Sequence, residues 1–350
     1  MTWDLYCRVI DNLGDIGVCW RLAADLAGRG YRVRLWTDDA SALAWMAPGR
    51  APGVEVNAWP DVASDPPAPP GEVVIEAFGC RLPEHVVQAM AKAQQHPVWI
   101  NLEYLSAEAW VERSHRLPSP QPEGLSKWFF FPGFAPATGG LLREPDLMSR
   151  AAEFNAVAWL EAHAGSRHPG ERLVSLFCYD RANGHALVER FGDEATLLLV
   201  APGPGARLVR ELLGPTLQRG ALRAVMLPWL SQLEFDHLLW ACDLNFVRGE
   251  DSFVRAQWAG RPFVWQPYPQ SDGVEVQKRD AFLDRHLSAA PSPLAAQIRG
   301  LWAAWDAPSQ PFPALPCLAD WSVHALRWRA ELLQQTDLTT QLIDFAREKG

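Results

Sequence analysis

The first forty residues alternate between strand and helix patterns, and this alternation constrains the fold more than any other feature of the chain. The apolar run Leu5–Ile10 is typical of a strand, the pattern from Val18 has helical spacing, and Val33–Trp36 resumes as a strand. This order predicts a right-handed β-α-β crossover in a parallel sheet. Ligands of such sheets bind at the carboxyl ends of the strands, so the first loop is a candidate site.

That loop, Asp11-Asn12-Leu13-Gly14-Asp15-Ile16-Gly17, carries two carboxylates where a nucleotide-binding loop has glycines. It lacks the third glycine of G-x-G-x-x-G, and Asp11 and Asp15 would repel a phosphate. Two carboxylates suit a cationic or proton-losing group, which indicates an acceptor or general-base site. The alternative is structural: Asp15 caps the helix, and Asp11 is an ordinary turn residue.

The length and composition limit the class of protein. A chain of 350 residues predicts two domains, and a net charge of -9 argues against nucleic-acid binding while allowing a basic protein partner. Six scattered cysteines predict reduced thiols, and the sequence shows neither a secretion signal nor a membrane-spanning run. No Cys/His cluster has the spacing of metal ligands. We therefore expect a cytoplasmic protein without a metal, a nucleic-acid partner or a membrane partner.

A second strand and helix alternation follows a linker-like stretch at 164–170. We therefore predict a first Rossmann-like domain at 1–165, completed by the C-terminal helix at 334–350, and a second at 166–333. Residues 116–146 and 291–317 are rich in proline or irregular in pattern. The aromatic cluster within 128–134 is either a protein-docking surface or a loop folded over the core.

Two polar side chains, Glu103 and Tyr104, end the predicted strand that begins at Val98. They either face the same site as Asp11 and Asp15, which we favour, or cap the helix that follows.

A second candidate site lies at Arg248-Gly249-Glu250-Asp251-Ser252-Phe253, where a strand passes into a helix. The first N–H groups of that helix and the Ser252 hydroxyl predict a cradle for a diphosphate, with Arg248 neutralising its charge. A carboxylate from Glu250 or Asp251 suits a ribose or sugar hydroxyl. Tyr179 ends another strand of this domain and is a candidate for stacking on a base. The alternative is an acidic N-terminus of an ordinary helix.

Both segments carry a resemblance to a known family. Asp11–Val18 with Cys19–Leu22, and Phe246–Phe253 with Arg255–Gly260, resemble the bacterial protein-arginine rhamnosyltransferases that modify elongation factor P. The similarity runs along the whole chain, with Leu13 standing where the family often has an aromatic residue. It implies a B-type glycosyltransferase (GT-B) architecture, an α/β fold with two Rossmann-like domains facing across a cleft.

The resemblance also implies a reaction and its residues. L-rhamnose would pass from dTDP-β-L-rhamnose to one arginine of elongation factor P, with inversion and without a metal. Asp15 would be the general base, Asp11 would hold the acceptor guanidinium, and Glu250 would join the catalytic set. The donor would be bound by residues of both segments, by Gln232 and by an aromatic near Phe177 or Tyr179. The residues from the segments are Asn12, Gly14, Arg248, Glu250, Asp251 and Ser252.

Two other functions remain open at this point. One is a GT-B or sugar-nucleotide enzyme that acts on a small-molecule acceptor and needs no protein for turnover. The other is a protein-binding module without catalysis, in which Asp15→Asn and Glu250→Gln would leave partner binding intact.

Overall fold

The computed structural model describes residues 1–11, 13–49, 51–61, 69–269 and 273–350. These residues form two compact units, each built on a mostly parallel sheet with helices between successive strands. The first unit contains residues 1–144 and 334–350, and the second contains residues 145–333. The candidate site residue Asn12 lies outside the described residues.

Seven strands of the described chain form the sheet of the first unit: β1 (Thr2–Cys7), β2 (Arg32–Thr37), β3 (Val54–Ala58), β4 (Val73–Ala77), β5 (Val98–Leu102), β6 (Pro118–Pro120) and β7 (Ser126–Phe130). Their order is β3-β2-β1-β4-β5-β7-β6, and only the edge pair β6 and β7 is antiparallel. Because β1, β4 and β5 are parallel neighbours, the loops that follow them lie at one edge of the sheet.

Six strands of the described chain form the sheet of the second unit: β8 (Arg172–Leu176), β9 (Thr196–Val200), β10 (Gln218–Arg219), β11 (Leu222–Met226), β12 (Leu244–Arg248) and β13 (Phe263–Gln266). Their order is β10-β11-β9-β8-β12-β13, with an antiparallel pair only at β10 and β11. The parallel neighbours β8, β12 and β13 therefore end at the same edge.

The helices of the described chain connect and flank these strands: α1 (Gly14–Gly28), α2 (Leu43–Met46), α3 (Glu84–Lys92), α4 (Ala109–Ser114), α5 (Leu147–Glu153), α6 (Ala156–Ala164), α7 (Gly184–Gly192), α8 (Pro204–Leu213), α9 (Gln232–Ala241), α10 (Asp251–Ala259), α11 (Val274–His286), α12 (Ser292–Trp305), α13 (Leu318–Leu332) and α14 (Leu338–Lys349). None of these helices combines the length and apolar character needed to cross a membrane.

The second unit begins at Pro145, earlier than the boundary at 165 that the linker pattern predicts. The reason is packing: Trp159 and Leu160 on α6 belong to the same hydrophobic core as Leu197 and Leu199 on β9. The residues between 145 and 165 therefore fold with the second sheet.

The C-terminal helix α14 packs in the first unit. Its residues Leu342, Phe345 and Ala346 are buried in the core that surrounds β1. Polar groups also join α14 to α1. The guanidinium of Arg29, at the end of α1, donates to Asp25, to Asp337 at 2.8 Å and to the Thr340 hydroxyl at 2.6 Å. This network ties α1 to the start of α14.

Several predicted elements differ from those observed. Strand β1 ends at Cys7 rather than Ile10, and α1 begins at Gly14 rather than Val18. Two strands and a helix, β6, β7 and α12, lie where the prolines predicted irregular chain. Proline is compatible with both positions, because an edge strand need not donate at every residue and the first turn of a helix has free N–H groups.

Candidate active site

The Asp15 carboxylate is buried at the carboxyl edge of the first sheet and has three hydrogen-bond donors. Its Oδ2 accepts from the backbone N–H of Ile10 at 2.8 Å and of Asp11 at 2.9 Å. Its Oδ1 accepts from the Tyr104 hydroxyl at 3.3 Å. The side chain is only 2% exposed. The loop after β1 and the second residue after β5, Tyr104, thus hold the Asp15 carboxylate between them.

The structural alternative for Asp15 is wrong, because Asp15 does not cap α1. Leu13 occupies the N-cap position without a side-chain cap, and Asp15 lies in the first helical turn with its carboxylate directed back to the preceding loop. The turn interpretation of Asp11 holds for its backbone, since its carbonyl accepts from Gly14 N–H at 2.6 Å.

Gly14 leaves space for the Asp11 carboxylate. A Cβ placed on Gly14 would lie 2.7 Å from Asp11 Oδ2, closer than real Cβ contacts. A larger residue at this position would therefore push the Asp11 carboxylate away from its observed place. Asp11, Gly14 and Asp15 form one local group, whereas nothing is described for Asn12.

Burial raises the pKa of the Asp15 carboxyl above its ordinary value, and repulsion from Asp11 adds to the rise. The hydrogen bonds from the N–H groups of Asp11 and Ile10 and from Tyr104 act in the opposite direction and stabilise the ionised form. A carboxylate with a raised pKa is a stronger proton acceptor, which is what a general base requires.

Tyr104 is oriented by Phe78, a residue that the sequence patterns did not single out. The two rings stack with centroids 4.4 Å apart and planes 14° from parallel. Phe78 follows β4 and has a φ of 56°, a left-handed backbone conformation that is rare for a bulky residue. Strain of this kind often occurs at functional sites, where the surrounding fold enforces it.

The prediction that Tyr104 faces the Asp15 site is confirmed by its hydrogen bond to the Asp15 carboxylate. The Glu103 carboxylate accepts from the Asn101 amide at 2.6 Å and lines a separate groove. Neither residue caps α4, because Glu108 occupies its N-cap position.

The second candidate group lies at the turn from β12 to α10. The Ser252 hydroxyl accepts from Arg248 N–H at 3.1 Å and also donates to the Arg248 carbonyl. Gly249 has a φ of 63°, so the turn between them uses the left-handed conformation that glycine adopts readily. Ser252 is buried and closes this turn.

The Arg248 guanidinium lies between two aromatic rings. Its Cζ is 4.4 Å from the ring centroids of both Phe177 and Tyr179, and its Nη1 is 3.5 Å from the Cys178 carbonyl oxygen. The backbone N–H of Tyr179 donates to Gln266 Oε1 at 2.8 Å. The predicted cation and both candidate aromatics are thus brought together, and the role of either ring toward a base stays a prediction.

The remaining predicted donor residues lie at the N-termini of α9 and α10. Gln232 Nε2 donates to Asp251 Oδ2 at 3.3 Å, which joins the two helix starts. Ser231 caps α9 by accepting from Glu234 N–H at 3.2 Å. Glu250 occupies the N-cap position of α10 but makes no side-chain cap. Helix capping therefore does not explain why a residue with a carboxylate stands at this position.

Two further aromatic side chains, Trp265 and Tyr268, make contacts near this group that the sequence did not predict. Trp265 Nε1 donates to the Gly249 carbonyl at 2.7 Å, and its ring stacks on Phe253 with centroids 3.9 Å apart. The half-exposed Tyr268 packs edge-on against Tyr179 at 5.7 Å. The only sequence signal for them is their position in or just after a strand of the same sheet.

Comparison with known proteins gives a consistent result. A family model described as "Elongation-Factor P (EF-P) rhamnosyltransferase EarP" matches residues 3–347. A protein-arginine rhamnosyltransferase of Pseudomonas aeruginosa is 43% identical, with 98% of each chain covered. The protein of the same description from Pseudomonas putida is also 43% identical, covering 99% of this chain and 98% of the relative.

Solved structures agree with this. One that concerns "EarP-mediated arginine glycosylation of translation elongation factor EF-P" matches with a TM-score of 0.68 and 32% identity over 99% of both chains. The glycosyltransferase CalG4 matches with a TM-score of 0.53 and 14% identity over 99% of this chain and 97% of that one. The likeness to CalG4 shows the fold alone, and the predicted α/β glycosyltransferase fold is confirmed.

Proposed function

Because the chain belongs to the family of elongation factor P rhamnosyltransferases, we propose that it transfers L-rhamnose from dTDP-β-L-rhamnose to one arginine of elongation factor P. In this proposal the anomeric carbon is inverted, and no metal or other cofactor takes part. The observation that carries the mechanism is the buried Asp15 carboxylate with its raised pKa and three hydrogen-bond donors.

The acceptor explains why a carboxylate pair is needed. A guanidinium is protonated at all physiological pH values and its charge is delocalised, so its nitrogens are poor nucleophiles. We assign Asp15 as the base that removes one guanidinium proton while the new bond from nitrogen to the anomeric carbon forms. Asp11 interacts with the remaining N–H groups and localises the charge. The bond from the anomeric carbon to the phosphate oxygen breaks, and dTDP leaves with the electron pair.

On the donor side, the departing diphosphate gains negative charge that fixed positive groups can stabilise. Arg248 and the first N–H groups of α10 supply these groups in our proposal, with Ser252 fixing the turn that presents them. Glu250 and Asp251 accept hydrogen bonds from sugar or ribose hydroxyls, with Gln232 beside Asp251. Phe177 or Tyr179 stacks on the thymine, and Asn12 and Gly14 remain part of the proposed set.

The proposed location is the cytoplasm. All six cysteines are free thiols, and four of them, Cys7, Cys19, Cys178 and Cys242, are buried. Buried reduced thiols are typical of proteins in a reducing compartment.

The test is the intact mass of unmodified, folded elongation factor P after incubation with this protein and dTDP-β-L-rhamnose in buffer that contains EDTA. We expect a gain of one deoxyhexosyl unit on one arginine, with an α-linkage if the anomeric centre inverts. Asp15→Asn should abolish the gain. Asp344→Asn is the matched control, because this carboxylate is exposed on α14 of the same unit.

Each rival function predicts a different result. Release of dTDP at the full rate without elongation factor P would favour a small-molecule acceptor. Binding of elongation factor P with no mass gain, unaffected by Asp15→Asn, would favour a binding module. A gain that requires an added divalent ion would contradict the metal-free mechanism.

A further inference from the structure

An open groove of about 560 Å³ lies beside the edge strand of the first sheet, and we call it the β6 groove. Its lining consists mainly of apolar side chains from α4, β6 and β7: Glu103, Trp110, Ser114, Leu117, Pro118, Ser119, Pro120, Phe129 and Phe131. None of the hydrogen bonds described above for Asp15 involves these residues.

The rim of the β6 groove exposes large apolar side chains. Trp110 is 44% exposed and Leu117 is 51% exposed. Trp110 is held in place by an edge-on contact with Phe131, with ring centroids 5.2 Å apart. A fixed, exposed tryptophan next to an apolar wall is typical of a site where a partner buries a side chain.

The backbone of β6 restricts how such a partner binds. The Leu117 carbonyl accepts from Phe129 N–H at 3.0 Å, and Gln121 N–H donates to Leu125 at 2.9 Å, so these residues face β7. The residues between them that face outward are Pro118 and Pro120, which have no N–H to donate. A partner strand cannot extend the sheet here with a full ladder, so contact must come from side chains in the groove.

The groove begins at the edge of the sheet that holds Asp15. Glu103 lines the groove, and the next residue, Tyr104, donates to Asp15. The strands β5 and β7 are parallel neighbours, so their carboxyl ends lie at this same edge. A protein whose arginine reaches Asp15 therefore places the surface around that arginine next to the groove.

Charge indicates the chemistry of the occupant. Glu103 is the single ionisable side chain among the lining residues in the described chain, and the protein has a net charge of -9. A basic surface is attracted by this charge, whereas a second copy of the chain is repelled.

We propose that the β6 groove docks the acceptor protein, which inserts an apolar side chain there from a basic surface next to the target arginine. This inference rests on the proposed function and names the surface that the protein acceptor uses.

The first test measures the dissociation constant of unmodified elongation factor P for the full-length protein and its variants. Trp110→Ala and Leu117→Ser should each weaken binding about tenfold or more, because they remove rim contacts of the kind that dominate interfaces. KM for elongation factor P should rise while KM for the donor stays unchanged. Val323→Ser is the control, because Val323 is 68% exposed on α13 of the second unit.

A second pair of variants tests the charge without removing apolar surface. Ser119→Glu should tighten binding of elongation factor P and Ser119→Lys should weaken it, with the difference shrinking as salt increases. These variants keep Trp110 and the other apolar side chains of the groove. They therefore still test the groove proposal if thermal unfolding shows that Trp110→Ala is unstable.

The outcomes separate this inference from the proposed function. If the wild type modifies elongation factor P and all four variants bind it as the wild type does, the groove proposal is overturned and the function stands. If the wild type neither binds nor modifies elongation factor P, the proposed function fails and the inference fails with it. Sedimentation that shows dimers dissociated by Trp110→Ala, with unchanged affinity for elongation factor P, assigns the groove to a second copy and also overturns it.

Discussion

At the scale of single residues, two opposing effects act on the pKa of the Asp15 carboxyl. Burial and the neighbouring Asp11 raise its pKa, while two backbone N–H groups and the Tyr104 hydroxyl lower it. The protonated form cannot act as a base, so the proposed activity should fall as the pH decreases through this raised pKa.

Tyr104→Phe should shift the acidic limb of kcat/KM to higher pH, because it removes a donor that stabilises the ionised Asp15. The phenylalanine keeps the stack on Phe78, so the fold should be preserved. The measurement is the pH profile of rhamnosyl transfer. Tyr31→Phe is the control, since the Tyr31 hydroxyl contacts Arg347 in the same unit. An acidic limb at the wild-type position would contradict this role for Tyr104.

Arg248→Lys should lower kcat/KM for the donor about tenfold or more while leaving KM for elongation factor P unchanged. A lysine ammonium cannot stack its plane between Phe177 and Tyr179 or present two parallel donors to a diphosphate. Steady-state kinetics with varied donor would measure the change. Arg207→Lys is the matched control, because Arg207 is exposed in a surface pair with Asp180. Equal losses in both variants would argue against a specific role for Arg248.

The positions of some of these residues could be predicted from the sequence and those of others could not. Asp11, Asp15, Arg248 and Ser252 follow predicted strands, and the carboxyl edge of a parallel sheet collects such residues. Phe78 could not be found in this way, because its left-handed backbone and its stack on Tyr104 depend on tertiary contacts.

At the scale of elements, α11 and α13 meet around two buried histidines. His286 is 2% exposed, its ring lies 4.7 Å from the ring of His324, and neither of its ring nitrogens has a hydrogen-bond partner among the described residues. Burial and the neighbouring His324 lower the pKa of His286, and burial lowers that of His324. The folded protein therefore holds His286 neutral.

The free energy of unfolding should therefore decrease at pH values below the ordinary histidine pKa. At those pH values the unfolded chain binds a proton at His286 that the folded chain does not. His286→Phe should reduce the loss in the free energy of unfolding between pH 7.5 and 5.5 by about 1 kcal/mol. Denaturant titrations at both pH values would measure the loss. His185→Phe on α7 is the control, because His185 is exposed. Its free energy of unfolding should decrease between pH 7.5 and 5.5 by as much as that of the wild type.

The elements also show where pattern-based prediction fails. Prolines at 118, 120 and 293 indicated irregular chain, yet β6 and α12 form there. An edge position or a first helical turn makes proline acceptable, and this depends on the neighbouring strands rather than on local sequence. The helix α11 had no prediction, since its apolar residues become a recognisable core face only against Trp302 and Trp328.

At the scale of the whole molecule, the first unit depends on the last helix of the chain. Phe345 on α14 is 1% exposed and contacts the rings of Trp128 and Phe130, which both lie in β7. The predicted boundary at 165 was wrong because α5 and α6 belong to the second unit. This assignment depends on tertiary packing, which the linker-like composition of residues 164–170 does not reveal.

Phe345→Ala should destabilise the protein by about 3 kcal/mol, because it removes a large buried ring and leaves a cavity. Hydrogen exchange should quicken in residues 1–144 and stay unchanged in residues 145–333, since α14 belongs to the core of the first unit. Val157→Ala is the control, with a side chain that is 69% exposed. Equal acceleration in both units would contradict this assignment.

The return of the chain to the first unit also sets an order for biosynthesis. Residues 145–333 are contiguous, so the second unit can fold while the ribosome is still translating the chain. The first unit is discontinuous, and its core lacks α14 until residues 338–349 leave the exit tunnel. We therefore expect the loop with Asp15 to rest on an incomplete core until α14 emerges from the ribosome. Protease sensitivity of nascent chains stalled before and after that point would reveal the difference.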